Sequence, residues 1–424
     1  MDVNANTKKT PNDNMLVVAA LMVLSVLTGH VSQTVLSLGI VLCCAYLFFK
    51  DKLVLAFPFI IFYNEFYGKV FGLSVLRIFT LMLIVGLVLK MRNKEQIEIK
   101  YLIPVCVYSM FLLLTMTGVD IRRAIFAFVD VFCCLYLVTR IVKKEKLWRE
   151  FFTIFVYVAL CAFITGLFAG NTLDQGSRYT YEYIRFLATF EDPNYMGFFY
   201  NVAIFSVITL KLFKPFIRTV LVIVLHVILL SSVSMTAILI NIVAWGVYLV
   251  LANKIKIKIL IAIALFTTLV VSAYNYGLEN PNTSVLGPVS YRIEEKLDAI
   301  SSNDIDSVTT DRTEYTRNNW NYFKSSPIIN RLFGGTSVNG IYVDPALEAA
   351  SHNEYVDLFL NVGIIGAIAM FGYQIRSLLA IWKRYRDDHS SISMCMLMNK
   401  SLFLTYGLAL TMFLDFRFML FYLL

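Results

Sequence analysis

Charge is what this 424-residue chain has least of: 16% of its residues are Asp, Glu, Lys or Arg, against about 25% in a soluble globular domain. Set beside 58% hydrophobic residues, that scarcity excludes a solvated domain and implies a membrane protein. Cysteine is missing where oxidation would matter. All seven (Cys43, Cys44, Cys106, Cys133, Cys134, Cys161 and Cys395) fall in or against apolar runs, which excludes disulfides or a thiolate metal site in the polar loops. Histidine numbers only four, and no His-Glu-x-x-His pattern occurs, so the helical zinc-hydrolase signature is absent and no metal or cofactor is expected. A cleavable leader is not expected either, because Met1–Asn14 is polar and no small-residue cleavage pattern precedes the next spans.

What the chain does have is apolar runs of bilayer-crossing length, about 17 to 25 residues each, from one end to the other. The formal charge of +8 need not signal nucleic acid, because its cations gather in short inter-span loops. Lys50 and Lys52, Lys90 with Arg92 and Lys94, Arg140 to Lys146, Lys211 to Arg218, Lys254 to Lys258, and Lys383 to Arg386 mark those loops as cytoplasmic. The expected spans before the first long polar loop are Met15–Thr28, Gln33–Phe49, Leu53–Tyr63, Val70–Leu89, Tyr101–Thr117, Ala124–Val142 and Phe151–Phe168. Leu53–Tyr63 contains Pro58 and is short, so it is expected to kink or pack inside the bundle. Arg77 within the next span needs a partner or a polar cavity. His30, His226 and His389 read more simply as turn, core and loop residues, and Arg122 with Arg123 as interfacial cations or a hint of an outer anion.

Two polar loops carry the chemistry. The first, at about 170–194, contains Arg178 and Arg185 and ends in Asp192-Pro193-Asn194, an acidic N-cap followed by the residue best suited to a first helical turn. A helix entering the membrane there aims its positive end outward, and arginines beside it make a place for phosphate, or simply an interfacial pair. Spans at Tyr195–Leu212, Thr219–Ser232, Thr236–Leu251 and Ile259–Tyr274 return the chain to the same side. The long loop that follows holds an amphipathic helix with Ile293, Leu297 and Ile300 on one face. A second helix is expected from Asp311 through Arg312, Arg317 and Trp320 to Pro327. Gly334 to Ser337 reads as a flexible connection. Ser351-His352-Asn353-Glu354 reads as a capping box with Ser351 at the N-cap, which places His352 in the first turn of a helix running past Gly363 and Gly366 to about Ile381. An imidazole there is able to take a proton from a hydroxyl, with Glu354 orienting it or doing that work instead.

The run Arg185-Phe186-Leu187-Ala188-Thr189-Phe190-Glu191-Asp192-Pro193-Asn194 resembles the arginine-to-Pro-Asn motif of the O-antigen ligase and polymerase superfamily. Asp311-Arg312-Thr313-Glu314 to Trp320, Leu332-Phe333-Gly334, and His352-Asn353-Glu354 through Gly363 and Gly366 resemble its outer loop and its His-Asn helix start. The match runs in order from about Phe168 to Leu414, with one departure, Ala188 where a glycine is usual. The resemblance implies an all-α polytopic membrane protein of the type-C glycosyltransferase kind, with about 12 to 14 transmembrane helices and a large extracytoplasmic loop. Residues 1–274 would be transmembrane helices with the outer loop at about 170–194, residues 275–350 the extracytoplasmic loop, and residues 351–424 the C-terminal transmembrane helices. It also implies an undecaprenyl-diphosphate-linked glycan as donor and acceptor, at the outer face of a bacterial cytoplasmic membrane. By that analogy Arg185 and Arg312 hold the diphosphate and His352 serves the acceptor; from their places in the sequence, Arg178 and Arg317 join the diphosphate site, Glu354 joins His352, and Asp192, Pro193, Asn194 and Asn353 support the site. A polymerase of O-antigen or capsule repeat units is the first expectation. A ligase onto lipid A-core, a protein oligosaccharyltransferase and a lipid-linked-oligosaccharide transporter are the alternatives. Membrane lipid and a chain-length regulator are the further partners it admits, and nucleic acid is not one.

Overall fold

The computed structural model describes residues 13–28, 31–66, 68–70, 72–92, 106–107, 129, 144–174, 184–252, 272, 274–280, 286–304, 312–334, 337–338, 341–342, 351–410, 412 and 415–423. The expected spans Tyr101–Thr117, Ala124–Val142 and Ile259–Tyr274 lie almost wholly outside them, as do His30, Asp120, Arg122, Arg123, Arg178, Lys254 to Lys258 and Asp311. Among the described residues the protein is mostly helical, 82%.

Helices α1 (Asp13–Thr28) and α2 (Gln33–Phe49) lead to a 3₁₀ turn, Leu53–Ala56, that continues into α3 (Phe57–Phe62). Every residue from Leu53 to Tyr63 is buried, so the proline-containing segment packs inside the bundle. A two-residue hairpin, β1 (Lys69–Val70) with β2 (Leu73–Ser74), turns at Gly72, and α4 (Val75–Arg92) begins only after it. Arg77 therefore sits in the first turn of α4 rather than mid-span; the hairpin takes up the residues that hydropathy alone assigns to the helix.

Next come α5 (Glu145–Ala169), α6 (Pro193–Thr209), α7 (Pro215–Ser231) and α8 (Met235–Leu251). Every residue of α6 except Tyr195 and Ile208 is buried, which makes it the central helix, against α5, α7 and α8. An aromatic nest at its N-terminal half joins Phe62, Phe155, Phe190 and Phe199, with Phe62 5.0 Å from Phe155 and 5.5 Å from Phe190. By contrast α7 exposes Phe216, Ile223 and Val227, and α8 exposes Leu239, Ile242 and Val243.

The polar region contributes α9 (Leu286–Ser301), α10 (Arg312–Ser325) and α11 (Ile328–Phe333). Then follow α12 (Glu354–Asp388), α13 (Ser391–Tyr406) and the short α14 (Phe416–Leu423). Among the described residues two helices, α5 and α12, are long and apolar enough to cross a membrane by length and composition.

Contrary to the expected continuous helix, α12 is broken at Gly363, whose φ of 65° and ψ of −174° are not helical. The cause is a backbone-on-backbone approach. A Cβ on Gly363 would stand 2.4 Å from the carbonyl of Leu332, and one on Gly334 would stand 2.2 Å from the carbonyl oxygen of Asn361. Gly334, expected to be merely flexible, is thus half of a fixed crossing that only glycine allows. Below the break, residues 364–388 form a segment of about 37 Å at 1.5 Å per residue. Above it, the nine residues 354–362 stand apart, flanked by α10 and α11.

Candidate active site

Arg185 owes its position to a clamped turn. Helix α5 ends at Gly170 in the left-handed region (φ 62°), the chain returns on itself through β3 (Thr172–Asp174) and β4 (Ile184–Phe186), and Leu173 pairs with Arg185. Immediately after, the Asn171 amide donates to the carbonyls of Ala188 and Phe190 at 2.9 and 3.0 Å, and the Thr189 hydroxyl donates to Phe62 O. Ala188 has φ 50°, so the motif position where glycine is usual is one that glycine occupies without strain. From this turn Arg185 Nε donates to the carbonyl of Ser232 at 3.0 Å.

Asp192-Pro193 starts α6 as its sequence predicts: the Asp192 carboxylate accepts the Asn194 and Tyr195 amides at 2.6 and 3.3 Å. Asn194 in turn accepts the Ser234 hydroxyl at 2.7 Å, and Ser234 is the N-cap of α8. The N-terminal ends of α6 and α8 are therefore stitched side by side. Arg312 joins them from the far polar region, its Nη1 donating to the Thr236 hydroxyl in the first turn of α8 at 3.1 Å. Two arginines from separate loops thus end on one corner, residues 232–236, beside two helix N-termini whose partial positive charge adds to theirs. Burial works against the Arg312 charge, Asp192 supports it and Arg292 opposes it, so its basicity falls slightly while the guanidinium stays protonated.

His352 lies beside them, though not in a helical turn. Asn353, rather than Ser351, is the N-cap: its side chain accepts the Tyr355 and Val356 amides at 3.0 and 3.3 Å, and α12 begins at Glu354. Ser351 accepts the Asn353 amide at 3.0 Å instead, a turn that leaves His352 in the left-handed region with φ 51°. The shift has a simple origin: Asn and Ser cap about equally well, and Ser351 is held elsewhere, its carbonyl taking the Thr316 hydroxyl of α10 at 3.1 Å. The Tyr315 ring stands 6.2 Å from the His352 ring. Burial first, and then the Arg312 charge, push the imidazole below its usual pKa of 6.5 against the opposing pull of Asp192. At neutral pH it is an uncharged base.

Glu354 is engaged away from that chemistry. It is buried, its carboxylate accepts the Met412 amide at 2.5 Å, and its own amide donates to Gly407 O at 2.7 Å. These contacts fasten the start of α12 to the connection after α13, a holding role in place of the expected orienting or proton-taking one. Arg317 lies on the exposed side of α10, whereas Arg312, Tyr315 and Thr316 face inward.

Sequence reading missed Arg292. In α9 the apolar face is turned outward, leaving Leu297 51% and Ile300 60% exposed, while Arg292 is only 6% exposed and is paired with Glu295 at 2.6 Å. The periodicity showed two faces without showing which one the protein covers. The small-residue corner Ser231 to Ser234 gathers Arg185 and Asn194: the Ser232 carbonyl accepts from Arg185, and the Ser234 hydroxyl donates to Asn194. His226 is a core residue as expected: its Nδ1 lies 2.7 Å from Val222 O and its Nε2 accepts from the Trp245 indole at 3.1 Å.

No family model matches this chain, and no curated protein matches it either.

Proposed function

We propose that the chain is a multi-pass protein of the bacterial cytoplasmic membrane. On this reading it is a glycosyltransferase of the O-antigen ligase and polymerase kind that joins undecaprenyl-diphosphate-linked repeat units into O-antigen or capsular polysaccharide on the outer face. The observation that carries the proposal is the meeting of Arg185 and Arg312 on the Ser232–Thr236 corner, with an uncharged His352 beside Arg312. Exposed apolar faces on α7, α8 and α12 support a lipid surrounding, since soluble monomers seldom expose such patches.

The chemistry follows from the charges. An acceptor hydroxyl attacks the anomeric carbon of the donor while the bond from that carbon to the diphosphate oxygen breaks. Negative charge grows on the leaving undecaprenyl diphosphate, where Arg185, Arg312 and the N-termini of α6 and α8 stabilise it. The hydroxyl proton passes to His352, which releases it to water before the next turnover. Asp192, Pro193 and Asn194 fix the end of α6, and Asn353 fixes the helix start behind His352. Arg178, outside the described residues, joins the donor site by its nearness in sequence to Arg185 and the start of α6, while Arg317, on the exposed side of α10, belongs to its outer approach.

The test is purified protein in detergent, given undecaprenyl-diphosphate-linked oligosaccharide and resolved on a gel. A ladder of lengthening lipid-linked chains is expected, and it should vanish in Arg185→Ala, Arg312→Ala and His352→Ala proteins that elute as the parent does. Near-normal product from His352→Ala would remove the proton-transfer assignment. Transfer to lipid A-core with no ladder would make the protein a ligase.

A further inference from the structure

The starts of α6, at Asp192, and of α12, at Asn353, frame the candidate site from distant parts of the chain. Residues at and just before the start of α14 touch both. The Met412 amide donates to the Glu354 carboxylate at 2.5 Å, and the Met412 carbonyl takes the Asp415 amide at 3.2 Å. Asp415 accepts the Arg417 amide at 2.9 Å and takes the edge of its guanidinium as well, with Nε 3.0 Å and Nη2 2.6 Å from Oδ2. The same Nη2 lies 3.5 Å from Glu191, and the guanidinium carbon stands 4.8 Å from the centre of the Tyr195 ring. Glu191 and Tyr195 bracket Asp192, the N-cap of α6.

Arg417 is 6% exposed, a depth at which a cation needs compensation. Asp415 supplies it, so the pair adds no net charge to the corner where Arg185 and Arg312 gather. What Arg417 contributes there is shape. A planar fork meets a carboxylate with two N–H groups while its face lies on a ring, which an ammonium cannot do. Phe418 repeats the contact with rings alone, packing 5.3 Å from Tyr195 and 5.0 Å from Phe198 and from Phe199. The first turn of α14 is therefore keyed to the first two turns of α6.

We propose that Arg417 is a positioning residue of the site. With Glu354 at the far end, the line of contacts through Met412 and Asp415 holds the start of α6 in register with the start of α12. The register stands on those contacts. Its use, keeping anion and base at one reacting distance, rests on the diphosphate reading.

Hydrogen exchange on the full-length protein in detergent, without ligand, tests the register. Arg417→Gln and Glu354→Met should each raise exchange about tenfold at both helix starts, residues 194–197 and 355–358, and the double variant should exceed neither by more than about twofold. Arg417→Lys, which keeps the charge beside Asp415 but not the fork, should act as Arg417→Gln does. Glu354→Gln, which keeps an acceptor for the Met412 amide, should restore most of the protection lost in Glu354→Met. A rise confined to the altered end, an additive double variant, or the same loosening from Val158→Ala, a core deletion in α5, overturns the register. The second arm is equilibrium binding of inorganic pyrophosphate. Arg417→Gln, Arg417→Lys and Glu354→Met should each weaken it about tenfold, and Arg417→Gln combined with Glu354→Met about tenfold rather than about a hundredfold. Parental affinity in any single variant, or a hundredfold loss in the double, overturns the positioning role. A parent protein that does not bind pyrophosphate sinks the diphosphate reading and the use of the register with it, while exchange still decides the register itself.

Discussion

Replacing Gly363 with alanine adds one methyl group to α12 at the point where the helix is broken. The backbone there, at φ 65° and ψ −174°, lies in a region essentially closed to other residues, a strain of about 1–3 kcal/mol. The new Cβ would also stand 2.4 Å from Leu332 C and O and 2.5 Å from Gly334 N, all backbone atoms that move only with α11, for about 1–3 kcal/mol more. Restricting the unfolded chain returns about 0.5–1 kcal/mol, so the net loss is about 2–5 kcal/mol. Nine residues further along the same helix, Gly372 has ordinary backbone geometry and nothing within 4 Å of its added Cβ, so Gly372→Ala should gain about 0.5–1 kcal/mol from helix propensity. The assay is thermal unfolding of both variants in the same detergent at one scan rate, read by the fraction still eluting as parent after heating. Gly363→Ala should melt at least about 3 °C below Gly372→Ala and should lose transfer as residues 354–362 tilt away from Arg312. Midpoints within about 1 °C of each other would refute the account of the break.

Arg185→Gln and Arg312→Gln should each lower the transfer rate about 10²–10³-fold, as expected for a lost donor to a developing anion, while Thr236→Val should cost less than about tenfold because it only steadies Arg312. The acid limb of kcat/KM should inflect below pH 6.5, because burial and Arg312 favour the neutral His352. Arg312→Gln removes one of those causes and should move the inflection back up toward 6.5; a downward move would contradict the assignment. Ala188→Gly should stabilise by about 0–1 kcal/mol, the relief of left-handed strain less the entropy of glycine, read as a small rise in midpoint.

Much of the site was legible because its signals are local. Asp192-Pro193 starts a helix by its own chemistry, and Arg185 and Arg312 stand out as cations in polar stretches between apolar runs. What stayed hidden depends on contacts between distant segments. Nothing in Gly334 or Gly363 alone says that their backbones cross, nor does Ser351 announce that α10 holds its carbonyl and leaves the cap to Asn353. Arg292 was invisible for the same reason, because amphipathic spacing gives the period of α9 without saying which face is covered.

The buried amide of Asn201 has a consequence for how the protein is made. In the finished fold it donates to the carbonyl of Ala237 and to the Tyr406 hydroxyl, and it accepts from Asn241. Tyr406 emerges from the ribosome 205 residues after Asn201, a wait of about 10–40 s at 5–20 residues per second. Ala237 and Asn241 arrive only 36 and 40 residues later. During synthesis α8 is therefore available to pair with Asn201 of α6 long before α13, which closes the network last.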